Sequence, residues 1–308
     1  ELTAVCDVQK KIADNKAKKY NCKAYYSLSD CLRESEADFY VLATPNYLHF
    51  EQACMCINNN KSVLIEKPVT IKTDELDEIV KLADKKKVKV YGVLQVRLNN
   101  SVSVMKKCLD KGLLGKLRSV NLIQRWQRPV EYFSGWRSVP KMGGGTLHEV
   151  GIHYIDILQY LVGTPDIISA KAYNTKHINT DIEDTVYALM DYGEFGGSLE
   201  VTISAEPHNL ECSISILGSN GCIKLGGKAL NIIESYNFLS HGAKKQFETL
   251  MKEYENVTYI PPNDYGSYLG SCPNHVGVYQ NLDLFDVRNT KNSLLIIEKI
   301  YEKCGRKY

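Results

Sequence analysis

The feature that most constrains this chain is an alternation of short apolar runs with helical patterns over its first third. Apolar runs at 2–6, 24–25, 38–43 and 62–66 are followed by stretches with helical spacing at 10–19, 29–35, 49–58 and 73–85, and a fifth run at 89–94 closes the series. Strands linked by helices in this way run in the same direction, so they form a parallel sheet with right-handed crossovers. Local signals agree with the pattern: Thr44-Pro45-Asn46 stops the third strand, a capping serine opens the 29–35 helix, and Asp74 and Glu75 fall in the first turn of the 73–85 helix.

From about residue 116 the period changes from runs to alternation. Val120 and Leu122, then Leu199, Val201 and Ile203, then Leu210, Cys212, Ile214 and Ile216 alternate with polar neighbours. One sheet face is therefore buried and the other is more polar, as in an open, mainly antiparallel sheet, and glycines at 193–197, 218–221 and 226–227 supply its turns. The fold class expected is α/β, with a parallel sheet over 1–95 and an α+β domain over 96–308. A chain of 308 residues is long enough for about two domains. Lys and Arg number 38 against 36 acids, so a net charge of +2 gives no electrostatic reason to expect nucleic acid or a membrane surface as partner. No apolar run approaches the roughly 20 residues of a membrane span, and a soluble cytoplasmic protein is the expectation. The ten cysteines are scattered, and Cys54 and Cys56 have no matching second pair, so reduced thiols are expected rather than a disulfide or metal site.

Chemistry concentrates at 143–163, GGGTLHEVGIHYIDILQYLVG. Leu147, Val150, Tyr154, Ile157, Leu158 and Leu161 form an apolar helical face. Glu149 and His153 stand four apart, and Asp156 follows three later. A carboxylate that orients a histidine makes a general base; a satisfied core histidine beside a structural acid is the plainer reading. Gly143, Gly144 and Gly145 let backbone approach a ligand closely or serve as a linker. Asp7 ends a strand before a helix, where a carboxylate either accepts both hydroxyls of an adenine ribose or caps the turn. A carboxylate there argues for NAD over NADP, because it repels a 2′-phosphate. The glycine-rich turn expected before it, with its strand and helix, would occupy roughly 30 residues upstream of Glu1. At the carboxyl end of another strand, Lys67 can hydrogen-bond a developing alkoxide, or it is a surface lysine before a turn proline. Arg125, Trp126, Trp136 and Arg137 suit a flat anionic ligand, or ordinary packing.

AVCD at 4–7, ATPNYLH at 43–49, VLIEKP at 63–68 and GGGTLHEVGIHYID at 143–156 together resemble the Gfo/Idh/MocA family of NAD(P)-dependent sugar oxidoreductases over nearly the whole chain. Within that family, ILGSNGCIKLGGKALNIIE at 216–234 and WQRPVEYFSGWR at 126–137 are most similar to UDP-N-acetylglucosaminuronate 3-dehydrogenases. The resemblance implies that Lys67 meets both nicotinamide and the reacting hydroxyl, and that the bond before Pro68 is cis. It implies NAD binding by Asp7, Thr44, Pro45, Asn46, His49, Glu66, Lys67 and Gln95. His153 is implied as the catalytic base, and Glu149, where many relatives carry Asp or Asn, is expected as the catalytic carboxylate that holds its imidazolium. Arg97, Arg125, Trp136, Arg137, His153, Asp156 and His275 are implied to bind substrate. The activity implied is oxidation of a secondary hydroxyl of a nucleotide sugar, the 3-hydroxyl of a UDP-linked N-acetylated uronic acid, by a homo-oligomer (dimer or tetramer) formed through the C-terminal sheet. The alternative from another class is a non-catalytic relative used as a binding or structural protein, since the phosphate-holding helix N-terminus is not in the chain.

Overall fold

Strands buried on both faces read as continuous apolar runs, and residues 63–65 in the first part of the chain are built that way, whereas Val41 in the preceding strand is 46% exposed. In the computed structural model, which describes residues 1–254 and 275–306, the chain divides into two compact units: Glu1–Val93 with Asp286–Arg288, and Leu94–Phe285 with Asn289–Tyr308. The first unit runs β1 (Ala4–Cys6), α1 (Lys10–Tyr20), β2 (Lys23–Tyr25), α2 (Leu28–Glu34), β3 (Phe39–Leu42), α3 (His49–Asn58), β4 (Ser62–Ile65), α4 (Thr73–Lys86) and β5 (Val90–Gly92). All its strand pairs are parallel, in two pieces ordered β1-β2 and β3-β4-β5. Val63, Leu64 and Ile65 of β4 are completely buried, and Leu76, Ile79 and Ala83 turn the same face of α4 inward. The serine that caps α2 is Ser27, whose hydroxyl accepts the Asp30 N–H at 3.1 Å, so this helix starts slightly earlier than the sequence pattern suggests. An antiparallel bridge from Asp286 to Tyr91 brings the late segment beside β5.

The second unit contains α5 (Asn100–Asp110), β6 (Leu117–Arg125), α6 (Ile152–Val162), β7 (Asp166–Tyr173), β8 (Thr185–Asp191), β9 (Gly196–Thr202), β10 (Glu211–Gly218), β11 (Gly221–Gly226), β12 (Ile232–Phe238), α7 (His241–Lys252), α8 (His275–Gln280) and α9 (Lys291–Lys303). Its seven strands are ordered β12-β11-β10-β6-β9-β8-β7, antiparallel throughout except for the β6–β9 pair. Alternation holds along β6, where Val120, Leu122 and Gln124 are buried, and along β8, where Val186, Ala188 and Met190 are buried while Tyr187 and Leu189 are exposed. Leu210 departs from it: it precedes β10 and is 65% exposed, so only Cys212, Ile214 and Ile216 of that run face the core. The helices cover one face; Tyr154 of α6 meets the buried Trp126 edge-on at 5.5 Å, and Phe247 of α7 packs on Tyr236 and Phe238 of β12.

The nine cysteines described are all free thiols. Burial pushes Cys56 and Cys108 up to about 12, so neither is an available thiolate near neutral pH. Among the described residues no helix is long and apolar enough to cross a membrane.

Candidate active site

In the first unit, the candidate residues lie in the loops that leave the carboxyl ends of β1, β3 and β4. Asp7 sits just past β1, and its Oδ1 accepts the Gln9 N–H at 2.8 Å, so the turn-capping role is present in the structure. After β3, Pro45 turns the chain into α3, and Thr44 Oγ1 donates to Gln52 Oε1 at 2.7 Å. After β4, the Lys67–Pro68 peptide bond is cis, and the Lys67 N–H points to its neighbour's Glu66 Oε2 at 3.3 Å. His49 is completely buried, with Nδ1 at 2.7 Å from the Pro68 carbonyl and Nε2 at 2.8 Å from the Thr44 carbonyl. It therefore ties the loop after β3 to the loop after β4. The expectation that His49 itself touches a ligand is corrected: its ring has no exposed edge, and it positions the loops that carry Thr44, Asn46, Lys67 and Pro68. Burial holds its pKa below the ordinary value, opposed by the two carbonyls.

In the second unit, the segment before α6 is not α-helical. Leu147–Gly151 is a π-helical turn that runs directly into α6. Bonding i→i+5 widens the turn, so residues four apart no longer stand directly above one another, and such insertions recur at functional sites. Its start is held by Glu183, a completely buried carboxylate. Glu183 Oε1 accepts the Thr146 N–H at 2.7 Å and the Tyr301 hydroxyl at 2.6 Å, while Oε2 accepts Arg306 at 2.8 Å. Burial pushes Glu183 up despite these partners. Gly145, at φ +115°, is needed here because a Cβ would come within 2.8 Å of Glu183 Oε1. A Cβ on Gly144 would likewise run into the Arg137 and Val139 carbonyls. In the structure, the close approach these two glycines allow is therefore to the protein itself.

His153 opens α6, almost completely buried, with its ring 6.3 Å from that of Tyr154. Glu149, one π turn earlier, pairs with neighbours: its Oε2 accepts Arg137 Nε at 3.1 Å and the Tyr132 hydroxyl at 3.3 Å. Arg137 also lies over the Trp136 and Tyr132 rings at 4.4 and 5.3 Å. Thus the π turn brings Glu149, Arg137, Trp136 and Tyr132 together beside the helix that carries His153.

Three expected substrate ligands are otherwise engaged. Arg97 and Asp156 form a buried two-pronged ion pair, Nε to Oδ2 at 2.7 Å and Nη2 to Oδ1 at 2.6 Å, with Ser293 also donating to Oδ1 at 2.7 Å. Both are corrected from substrate ligands to structural partners, because each already satisfies the other's charge away from solvent. Arg125 is forked onto Glu200 at 2.6 and 2.7 Å and reaches Glu211 at 2.8 Å. It stands at an odd position of β6, on the sheet face opposite Trp126 and α6, so it is corrected as well. Trp126 is core, its Nε1 donating to the Lys228 carbonyl at 2.8 Å. Gln95 presents a buried Oε1 with no donor among the described residues. The side chain of His275, at the start of α8, lies outside the described residues. Sequence reasoning missed Glu183, Tyr132 and Arg128. Two acids opening an otherwise apolar strand in IEDTVYALM mark Glu183, and the inward register of β6 continued past its end marks Arg128.

Comparison with known proteins bears on the whole chain. Residues 1–93 match a family model described as an oxidoreductase family with an NAD-binding Rossmann fold, and residues 102–224 match the GFO/IDH/MocA C-terminal domain. The WlbA dehydrogenase of Bordetella pertussis, solved with NADH and UDP-GlcNAcA, is 29% identical, with a TM-score of 0.87 over 99% of this chain and 88% of that one. The WlbA dehydrogenase of Chromobacterium violaceum, with the same two ligands, is 28% identical, with a TM-score of 0.86 over 99% and 87%. A scyllo-inositol 2-dehydrogenase (NADP(+)) of Bacillus subtilis is 27% identical over 58% of this chain and 51% of its own length. The chain spans about half the length of the curated relatives it matches first, 53% and 51%.

Proposed function

The chain belongs to the GFO/IDH/MocA oxidoreductase family, and from that premise we propose that it oxidises a secondary hydroxyl of a nucleotide sugar with NAD, the 3-hydroxyl of a UDP-linked N-acetylated uronic acid. What carries this reading is the similarity over 99% of the chain to two dehydrogenases solved with NADH and UDP-GlcNAcA. The inositol dehydrogenase relative matches a smaller part of the chain, 58%, and supports the coarser reading of a polyol or sugar alcohol group as the reacting centre.

The residues present fit a nicotinamide dinucleotide. In the first unit, backbone at the carboxyl ends of β3 and β4, where open parallel sheets bind ligands, is fixed by His49; in the second unit, Gln95 has a buried Oε1 with no donor among the described residues, an acceptor suited to a carboxamide N–H. Asp7, Thr44, Pro45, Asn46, Glu66, Lys67 and Gln95 are the residues that would hold it. Bound NAD supplies the hydride acceptor. His153 takes the proton of the reacting hydroxyl, and the Lys67 ammonium donates a hydrogen bond to the oxygen as negative charge develops. Glu149 keeps the Arg137 and Tyr132 side chains in place beside the π turn, and so acts as a positioning residue. Self-association through the open face of the seven-stranded sheet is supported by the exposed Ile168, Tyr173, Tyr187 and Leu189.

Removal of the base should slow hydride transfer by on the order of 100- to 10,000-fold. Stopped-flow absorbance at the NADH band, with His153→Ala in the intact protein, measures this step. Transfer at the parental rate would exclude His153 as the base.

A further inference from the structure

Arg128 stands out among the cations of the second unit. Arg125, Arg137, Arg97 and Lys176 are each paired with a carboxylate, from Glu200 and Glu211, Glu149, Asp156, and Glu206 respectively. Among the described residues Arg128 has no carboxylate partner, and its guanidinium donates to the Gln127 carbonyl at 2.7 Å. It is nevertheless partly buried, and it lies over the Trp126 ring at 4.8 Å and near the Tyr132 ring at 5.5 Å. A guanidinium partly withdrawn from water over aromatic faces, with most of its five donors unused among the described residues, is suited to receive an anion. Its backbone is fixed as well, because the Arg128 N–H donates to the Ile203 carbonyl at 3.0 Å.

Two contact routes link it to the proposed base. Trp126, under Arg128, packs on Tyr154, the neighbour of His153. Tyr132, beside Arg128, hydrogen-bonds Glu149 on the π turn that leads into α6. We propose that Arg128 is the residue that selects an acidic sugar, its guanidinium forking onto the substrate's carboxylate. This rests on the reading of the site as a nucleotide-sugar dehydrogenase. A single uncommitted cation matches the single charge of a carboxylate, whereas a diphosphate carries more charge than Arg128 alone can balance. The aromatic rings beside it supply apolar surface for the adjoining sugar face.

Calorimetric titration of UDP, UDP-N-acetylglucosamine and UDP-N-acetylglucosaminuronic acid into the parent, Arg128→Gln and Arg128→Lys proteins tests the assignment. The expected result is a loss of roughly 10- to 100-fold in affinity for the uronic acid in Arg128→Gln, the equivalent of one charge-assisted hydrogen-bonding group, with UDP and the neutral sugar nucleotide unchanged. Arg128→Lys should recover part of the loss, since charge remains and the fork is gone. Equal losses for all three ligands would place Arg128 at the diphosphate and overturn the proposal, as would an unchanged affinity for the uronic acid. A thermal melt that matches the parent shows the variants to be folded; if Arg128→Gln unfolds, the Arg128→Lys titration decides by the same comparison. Failure of the parent itself to bind any of the three ligands counts against the nucleotide-sugar reading rather than against Arg128.

Discussion

At the scale of single residues, what a charged group can do is set by the partners it finds on folding. Asp156 and Arg97 have the chemistry of substrate ligands, yet in the structure each is buried against the other. Breaking such a pair from one side leaves an uncompensated charge, so Asp156→Leu and Arg97→Met should each cost about 3 to 5 kcal/mol. The double variant Arg97→Met/Asp156→Leu should cost clearly less than the sum, because no charge is stranded. Urea denaturation of the three variants reads this coupling, and fully additive losses would show that the pair does not act as a unit. Arg125 and Arg128 make the same point by parity. They lie three apart in sequence, one on each sheet face, and only the second shares a face with Trp126.

At the scale of elements, the apolar positions at 147, 150, 154, 157, 158 and 161 are all buried. A helix was therefore legible in that pattern, and the π turn inside it was not. Hydrophobic spacing does not distinguish i→i+4 from i→i+5 bonding over a single turn, and the carboxylate that catches the Thr146 N–H at the start of the turn, Glu183, lies some distance away in sequence. Gly145→Ala should destabilise the protein by about 1 to 3 kcal/mol, because the residue sits at positive φ and its Cβ would press on the Glu183 carboxylate. The same change should lower kcat through displacement of the turn that leads to His153. Chemical denaturation and steady-state rates of this one variant check both outcomes; unchanged stability would mean that Glu183 yields at no cost.

For the molecule as a whole, the buried His49 links pH to the stability of the first unit. Its folded pKa lies below the unfolded value of about 6.5, so at lower pH the unfolded chain binds a proton that the folded chain excludes. Stability from this group is complete above that value and is lost as pH falls from about 6.5 towards the folded pKa, with a limiting slope of about 1.4 kcal/mol per pH unit. Urea midpoints at pH 7.5 and 5.5 should therefore fall more for the parent than for His49→Gln, in which the titrating group is gone. Equal falls in the two proteins would remove His49 as the cause.

The alternation of apolar runs with helical spacing, and the later change to period two, were enough by themselves to determine the α/β class and the two kinds of sheet, because strand and helix periods are local properties of the chain. Local chemistry left Lys67 and His153 open between a functional and a plain role, and it was the family resemblance that singled them out. Which charges remain uncommitted was decided only by the tertiary structure. Arg97 finds Asp156 and Arg125 finds Glu200 across separations of 59 and 75 residues. Pairings at that range depend on sheet order and helix docking, which residue spacing does not encode. For the same reason Arg128, passed over in the sequence, is the cation that folding leaves beside two aromatic rings without a carboxylate among the described residues.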